Sequence, residues 1–361
     1  MSLNKWSAYL KTNLFTSHDG FFELPYLSNN PKLMVGSLLV MPDSRHHKQE
    51  QAIYSDNPFT KAVMRYRKVE EGLWLLATEL DAKKNIISKA LYKDDTKSDY
   101  YFLSFAVFEY QFPIDGSFTE MATLLSTTCT FYKPKTEVST FFYEGTKGRF
   151  FNLVFNKQWA EKNLSFTSSV EKKEINEYLN NHSGFINWLD IVPNAPALSK
   201  EIWQNLEKEI EGRFNTDLLK IQMQQIIAGF FKHAFEDKRI KNHTALHNPD
   251  YANVAAAEKI ILNNLTVPFL GVNNIAKAVN LSPTKLKIIF KSVFGFSMLQ
   301  YHKEKNMLLA MQLIKNSSVQ IKNIAALTGY LSSSKFSATF KKRFGILPTE
   351  IRNKLLAESM L

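Results

Sequence analysis

Hydrophobic and polar positions follow two different rhythms along this chain, and the change comes near residue 163. Between Val69 and about Phe155 lie short apolar runs, GLWLLATEL, DYYFLSFAVFEYQF, TTCTFYKPKTEVSTFFY and RFFNLVF. They are rich in aromatic and β-branched residues, and the turn-forming stretches KDDTKSD, PIDGS and EGTKG separate them. That alternation predicts an antiparallel β-sandwich or small barrel. Residues 1–60 carry no clear period. Beyond Asn163 the spacing becomes helical. EKKEINEYLNNHS predicts a short helix, and SKEIWQNLEKEIEGRF repeats apolar residues at Ile202, Leu206 and Ile210. TDLLKIQMQQIIAGFFKHAFED follows, with Thr216 as its N-cap and Leu219, Met223, Ile226, Ile227, Phe230 and Phe231 on its apolar positions. These helices either pack onto the preceding sheet or contribute a dimer seam. KRIKNHTALHNP (Lys238 to Pro249) has little apolar content and reads as a linker. Everything after it reads as helical, with breaks near Pro268, Asn280–Ser282, Gly295, Asn316–Ser318, Gly329–Ser334 and Gly345–Pro348.

Within the helical third one pattern occurs twice. In NNIAKAVNLSPTKLKIIFKSVFG, IAKAVN is a short helix and Asn280 tolerates the positive φ of a tight turn. Ser282 caps the next helix and Pro283 takes its first position. Leu286, Ile289, Phe290 and Val293 then form one buried stripe, while Thr284, Lys287, Ile288 and Lys291 point the other way. In KNIAALTGYLSSSKFSATFKKRFG, IAALTG is the short helix and Gly329 takes the turn. Phe336, Thr339 and Phe340 are expected on the core face, with Ser334, Ser337, Ala338 and Lys341 opposite. FKSVFG and FKKRFG therefore repeat an outward face as well as a core, 50 positions apart. A short helix, a tight turn and a second helix with a polar, basic outer face make a helix-turn-helix. The intervening SMLQYHKEKNMLLAMQLIKN is a rigid spacer of roughly 30 Å, close to the ~34 Å of one B-DNA turn. The bland alternative is a two-repeat helical bundle that binds protein.

Charge sharpens this picture. Residues 1–248 hold 30 Lys and Arg against 29 Asp and Glu, whereas residues 249–361 hold 15 against 5. Nearly the whole net charge of +11 therefore belongs to the last third. Such an excess fits contact with a polyanion, and also fits a solvated surface. With one cysteine, Cys129, no intrachain disulfide or Cys-rich zinc site can form. The opening MSLNKWSAYLKTN lacks the apolar run of a signal peptide, and no stretch reaches the ~18–20 apolar residues of a membrane span, so a cytoplasmic protein is expected.

The C-terminal residues resemble the AraC/XylS transcription regulators, whose DNA-binding domain has two helix-turn-helix units joined by a long helix. The resemblance runs from about Asn274 to Arg352, preceded by a first helix from Asp250, slightly less than a third of the chain. It rests on the two units quoted above, the linking helix with Tyr301 and Ala310, and PTEIR (Pro348 to Arg352) at the start of a last helix. It implies base-reading positions at Thr284, Lys287 and Ile288 in the first unit and at Ser334, Ser337 and Ala338, with Ser333 beside them, in the second. Lys285, Lys291, Lys335, Lys341 and Lys342 fit phosphate contacts, since lysine is a flexible point charge. Many members carry Arg where this chain has Ile288 and Ala338, so the bidentate contact to guanine is absent there and an operator richer in A·T is expected. The resemblance also implies a cupin-like β-barrel that binds a small effector, followed by helices that form a homodimer.

The expected fold is α+β and multidomain: a β-rich sensing domain (1–165), a helical dimerisation region (166–240) and an all-α DNA-binding domain (250–361). Trp74, Tyr100, Phe102, Phe131 and Phe142 are the candidate effector-binding aromatics. Expected partners are double-stranded DNA, a small-molecule effector, a second copy of the chain and RNA polymerase, with no membrane. No cofactor, metal or catalytic group is expected. Metal-binding cupins use a His-x-His pair, and the adjacent His46 and His47 of SRHHKQEQ would face opposite sides of a strand; a polar loop is the expected reading of that stretch. Cys129 lacks a local basic cluster and reads as a buried thiol. Asp94 and Asp95 read as a turn. Two rival functions remain: a cupin-type metalloenzyme fused to a DNA-binding domain, and a helical protein-interaction scaffold.

Overall fold

The computed structural model describes residues 17–18, 20–113, 121–136, 138–164, 185–189, 192, 194–208, 213–236, 248–316 and 319–358. They divide into two compact units. The first comprises residues 1–108 and 127–248, and the second comprises residues 109–126 and 249–361.

The long runs between Thr60 and Asn156 become strands because their apolar residues are buried on both faces. In chain order the strands are β1 (Ser17–His18), β2 (Phe21–Leu27), β3 (Ser44–His47), β4 (Ala52–Asp56), β5 (Thr60–Glu70) and β6 (Leu73–Ala82). They continue with β7 (Ile86–Leu91), β8 (Tyr100–Pro113), β9 (Met121–Tyr132), β10 (Ser139–Phe142), β11 (Lys147–Asn156) and β12 (Phe185–Leu189). A large sheet runs in the order β12-β9-β8-β11-β6-β5-β4-β3, and a smaller one in the order β1-β2-β7-β10. The registered pairs are antiparallel except β2 with β7, which run parallel. Those two strands are far apart in sequence, so no tight hairpin dictates their direction.

Helix α1 (Pro31–Leu39) covers one face of the large sheet. Its Met34 and Val35 pack with Ile53, Met64, Leu76 and Val154. After α2 (Lys157–Asn163), helices α3 (Ala195–Glu207) and α4 (Arg213–Glu236) carry the remaining apolar stripe of this unit. The Phe131 ring lies 5.7 Å from both Phe230 and Phe231 of α4. The Arg67 guanidinium donates to the Leu206 carbonyl at 2.9 Å, and Lys220 pairs with Glu70 at 2.6 Å. Central strands thus lie between two apolar layers, and this is why strict alternation fades along them.

Three local expectations change. SRHH is a strand, not a loop: backbone pairing with β4 makes β3 despite its polar side chains. Thr216 sits inside α4, because that helix begins at Arg213. Asn248 and Pro249 open a helix rather than closing a linker. The helix expected over EKKEINEYLNNHS, Ile210, and residues 238–247 lie outside the described residues.

Among its described residues the second unit is helical apart from the ends of β8 and β9. It holds α5 (Asn248–Asn263), α6 (Val272–Ala278), α7 (Pro283–Phe294), α8 (Met298–Asn316), α9 (Ile321–Leu327), α10 (Ser333–Phe344) and α11 (Pro348–Glu358). No helix among the described residues is long and apolar enough to cross a membrane.

Candidate nucleic-acid interface

Local chemistry builds the two outward helices in the same way. Ser282 keeps extended backbone and its hydroxyl accepts from the Lys285 N–H at 3.2 Å, which starts α7. Ser332 does the same for the Lys335 N–H at 3.4 Å, which starts α10. Each cap satisfies one of the amides that a helix start leaves unpaired. The turns before them hold Asn280 at φ 54° and Gly329 at φ 82°. Gly295 and Gly345 end the two helices at φ 75° and 77°, left-handed backbone in which a Cβ would be strained.

The inner faces are aromatic. Phe290 and Phe294 lie 5.4 Å and 5.1 Å from the Tyr301 ring of α8, so the first unit is seated on the spacer helix. Phe336, Phe340 and Phe344 form a ladder with centroid separations of 5.7 Å and 4.6 Å. Leu286, Phe290, Phe336 and Phe340 are fully buried. Thr339 departs from its expected place: it is exposed, and its hydroxyl donates to the Lys335 carbonyl at 2.9 Å.

The outer faces carry the residues singled out from the sequence. Thr284, Lys285, Lys287, Ile288 and Lys291 are exposed on α7. Ser333, Ser334, Lys335, Ala338, Lys341 and Lys342 are exposed on α10, and Ser337 is half-buried. Neither helix contains an acidic residue. Ile288 is 65% exposed, a large apolar group held on an otherwise polar surface. Leu331 is also fully exposed, in the turn before α10. Sequence reasoning passed over it because a lone Leu in a turn has no periodic signal. Arg343 follows two lysines yet is tied down: its guanidinium meets Glu304 of α8 at 2.7 Å and 2.5 Å. The spacer α8 has 19 residues, hence a length of about 28 Å.

The aromatics proposed for an effector are divided by the fold. Phe102 belongs to the cluster under α1, with Trp74, Tyr100, Tyr26, Tyr66 and Tyr132 packed against it. Phe142 sits in a neighbouring cluster with Leu24 and Phe59. Phe131 lies on the opposite face, stacked against Tyr101 and Phe155 beneath α4. Burial pushes the Tyr132 hydroxyl up to about 12, and Tyr26 is raised further by the same cause. Both phenols are therefore neutral hydrogen-bonding groups at ordinary pH. His46 Nε2 meets the Tyr66 hydroxyl at 2.6 Å, while His47 Nδ1 turns to Glu50 at 3.3 Å. The two imidazoles serve different partners on opposite sides of β3. Cys129 is 1% exposed, and burial raises its thiol well above the ordinary value.

Residues 275–354 match the family model described as a helix-turn-helix domain. The HTH-type transcriptional regulator AlkR of Acinetobacter baylyi is 31% identical over 111 residues, which cover 31% of this chain and 35% of that protein. The arabinose operon regulatory protein of Salmonella typhimurium is 28% identical over 108 residues, covering 30% of this chain and 38% of that protein. The chain thus spans little more than a third of the length of these curated relatives. Among solved structures, a transcriptional regulator from Chromobacterium violaceum, described as an AraC-type DNA-binding domain-containing protein, is 28% identical. The match covers 30% of this chain and 96% of that one, with a TM-score of 0.28.

Proposed function

We propose, from the premise that the C-terminal third is a helix-turn-helix domain of the AraC/XylS type, that the protein is a sequence-specific DNA-binding transcription regulator. It presents α7 and α10 to successive major grooves on one side of the duplex. One observation carries this reading. Two capped helices expose matching polar and basic faces, without a single acid, on either end of a spacer about 28 Å long. Lys285 and Lys291 on one helix, with Lys335, Lys341 and Lys342 on the other, supply phosphate contacts. Thr284, Lys287, Ile288, Ser334, Ser337 and Ala338 face the bases. Ile288 and Ala338 favour thymine methyl groups. The test is fluorescence anisotropy of the full chain with a labelled mixed-sequence duplex at low salt. Saturable binding is expected, and its absence at micromolar protein overturns the reading.

Two finer elements have their own support. The cluster of Trp74, Tyr100 and Phe102, with the neutral phenols of Tyr26 and Tyr132, fits a small, largely apolar effector that carries one hydrogen-bonding group. On α4, Phe214 (86% exposed), Leu218 and Ile221 stand at i, i+4 and i+7, the spacing of a coiled-coil seam, and support a homodimer. In sedimentation experiments Ile221→Glu is expected to halve the mass of the wild-type particle. A monomeric wild type removes the dimer from the scheme.

A further inference from the structure

The DNA-binding unit includes a piece of chain that no C-terminal sequence pattern contains. Residues 109–126, which hold the last residues of β8 and the first of β9, group with the helices from 249 onward. The outer edge of β9 shows how they are held. The described pairing of β12 with β9 runs from Thr128 to Tyr132. Leu125 lies beyond it, and buried or not its backbone groups call for a partner. Gln312 of α8 provides both halves. The Leu125 N–H donates to Gln312 Oε1 at 2.9 Å, and Gln312 Nε2 donates to the Leu125 carbonyl at 3.3 Å. The side-chain amide thus stands in for a neighbouring strand.

A second contact lies two helical turns earlier on α8. Lys305 is fully buried, and its ammonium donates to the Ser126 hydroxyl, which is also buried. The same ammonium lies 5.3 Å from the centroid of the Tyr301 ring, and the Tyr301 hydroxyl donates to Glu258 of α5. Tyr301 is the residue on which Phe290 and Phe294 of the first recognition helix rest. A polar contact of this kind is reversible, because water can replace each partner when it opens. Strand β9 also has a suggestive reach. β9 ends at Tyr132, which packs against the aromatic cluster, and the same strand carries Leu125 and Ser126.

We infer that the β9 segment at Leu125 and Ser126 is a latch on the spacer helix, and that its docking through Gln312 and Lys305 holds α8 in the form that presents both recognition helices to DNA. Docked, it stiffens the spacer before DNA arrives; released, the ordering must take place on binding, and affinity falls. This inference rests on the DNA-binding reading of α7 and α10. DNA and the latch must then favour each other by the same factor.

The full-length wild type and Gln312→Ala test it with two readouts: the dissociation constant for a mixed-sequence duplex, and amide hydrogen exchange at Leu125. Gln312→Ala is expected to speed Leu125 exchange several-fold and to weaken DNA binding at least about fivefold, the lower end of ordinary coupling. Duplex DNA is expected to slow Leu125 exchange in the wild type. Equal Leu125 exchange in the two proteins overturns the latch. Faster exchange with unchanged or tighter DNA binding overturns its role in presenting the helices. If neither protein binds duplex DNA, the DNA reading and the coupling both fall, and Leu125 exchange still reports whether the latch exists. Circular dichroism of Gln312→Ala guards against simple unfolding, and Gln312→Glu, which keeps the acceptor for the Leu125 N–H and loses the donor, is expected to fall between the two.

Discussion

Removing Lys341 and Lys342 together should change how DNA binding depends on salt, and the structure sets the size of the change. Six lysines on α7 and α10 are exposed: Lys285, Lys287, Lys291, Lys335, Lys341 and Lys342. Arg343 does not join them, because Glu304 already neutralises it at 2.5–2.7 Å. Each phosphate contact contributes about −0.9 to the slope of log affinity against log salt, so the five lysines placed against phosphates, all but Lys287, predict a slope of about −4.5. Between 50 and 200 mM salt, wild-type affinity should fall roughly 500-fold. The Lys341→Ala, Lys342→Ala double variant should show a slope shallower by about 1.8, which reduces that loss to roughly 40-fold. Anisotropy titrations at four salt concentrations measure both slopes. Removing the exposed Lys48 and Lys61 from the first unit deletes the same net charge and should leave the slope alone. A double-variant slope within 0.5 of wild type, or an equal change in the control, refutes the placement of the duplex against α10.

Three other outcomes follow from single residues. Phe340 is fully buried between Phe336 and Phe344, so Phe340→Ala should destabilise the C-terminal unit by about 3–5 kcal/mol in urea denaturation; a loss below ~1 kcal/mol would mean the ladder is not core. Ile288→Arg should shift the preferred base from thymine to guanine at one operator position in selection from a random duplex pool, a discrimination of about 1–3 kcal/mol; an unchanged preference removes Ile288 from base contact. Cys129 is buried with its thiol pKa raised, so a thiol-specific disulfide reagent should leave the native protein unmodified and label it fully in denaturant; fast native labelling contradicts its burial.

The features that the sequence disclosed and those it hid differ in range. The ends of α7 are set within one helical turn: Ser282 reaches Lys285, Pro283 has no amide to satisfy, and Gly295 accepts positive φ. Residue identity alone therefore located that helix and, by the repeat, α10. Thr339 was misplaced by the same local logic, since i, i+3 and i+4 spacing cannot tell a core threonine from one whose hydroxyl bonds back to its own helix at Lys335. In the first unit the information lies across the sheet. Trp74 and Leu75 are neighbours on opposite faces, and both faces are covered, so polarity marks neither as inner. Phe131 and Phe102 looked equivalent as strand aromatics, yet one meets α4 and the other lies under α1. The polar β3 exists only because β4 lies beside it. The Leu125–Gln312 contact is the extreme case. Leu125 and Gln312 are 187 residues apart, and neither a leucine in a strand nor a glutamine in a helix signals the other. The exposed faces of α7 and α10 could be read from short spacings, whereas the contact at Leu125 depends on a pairing that exists only after the chain has folded.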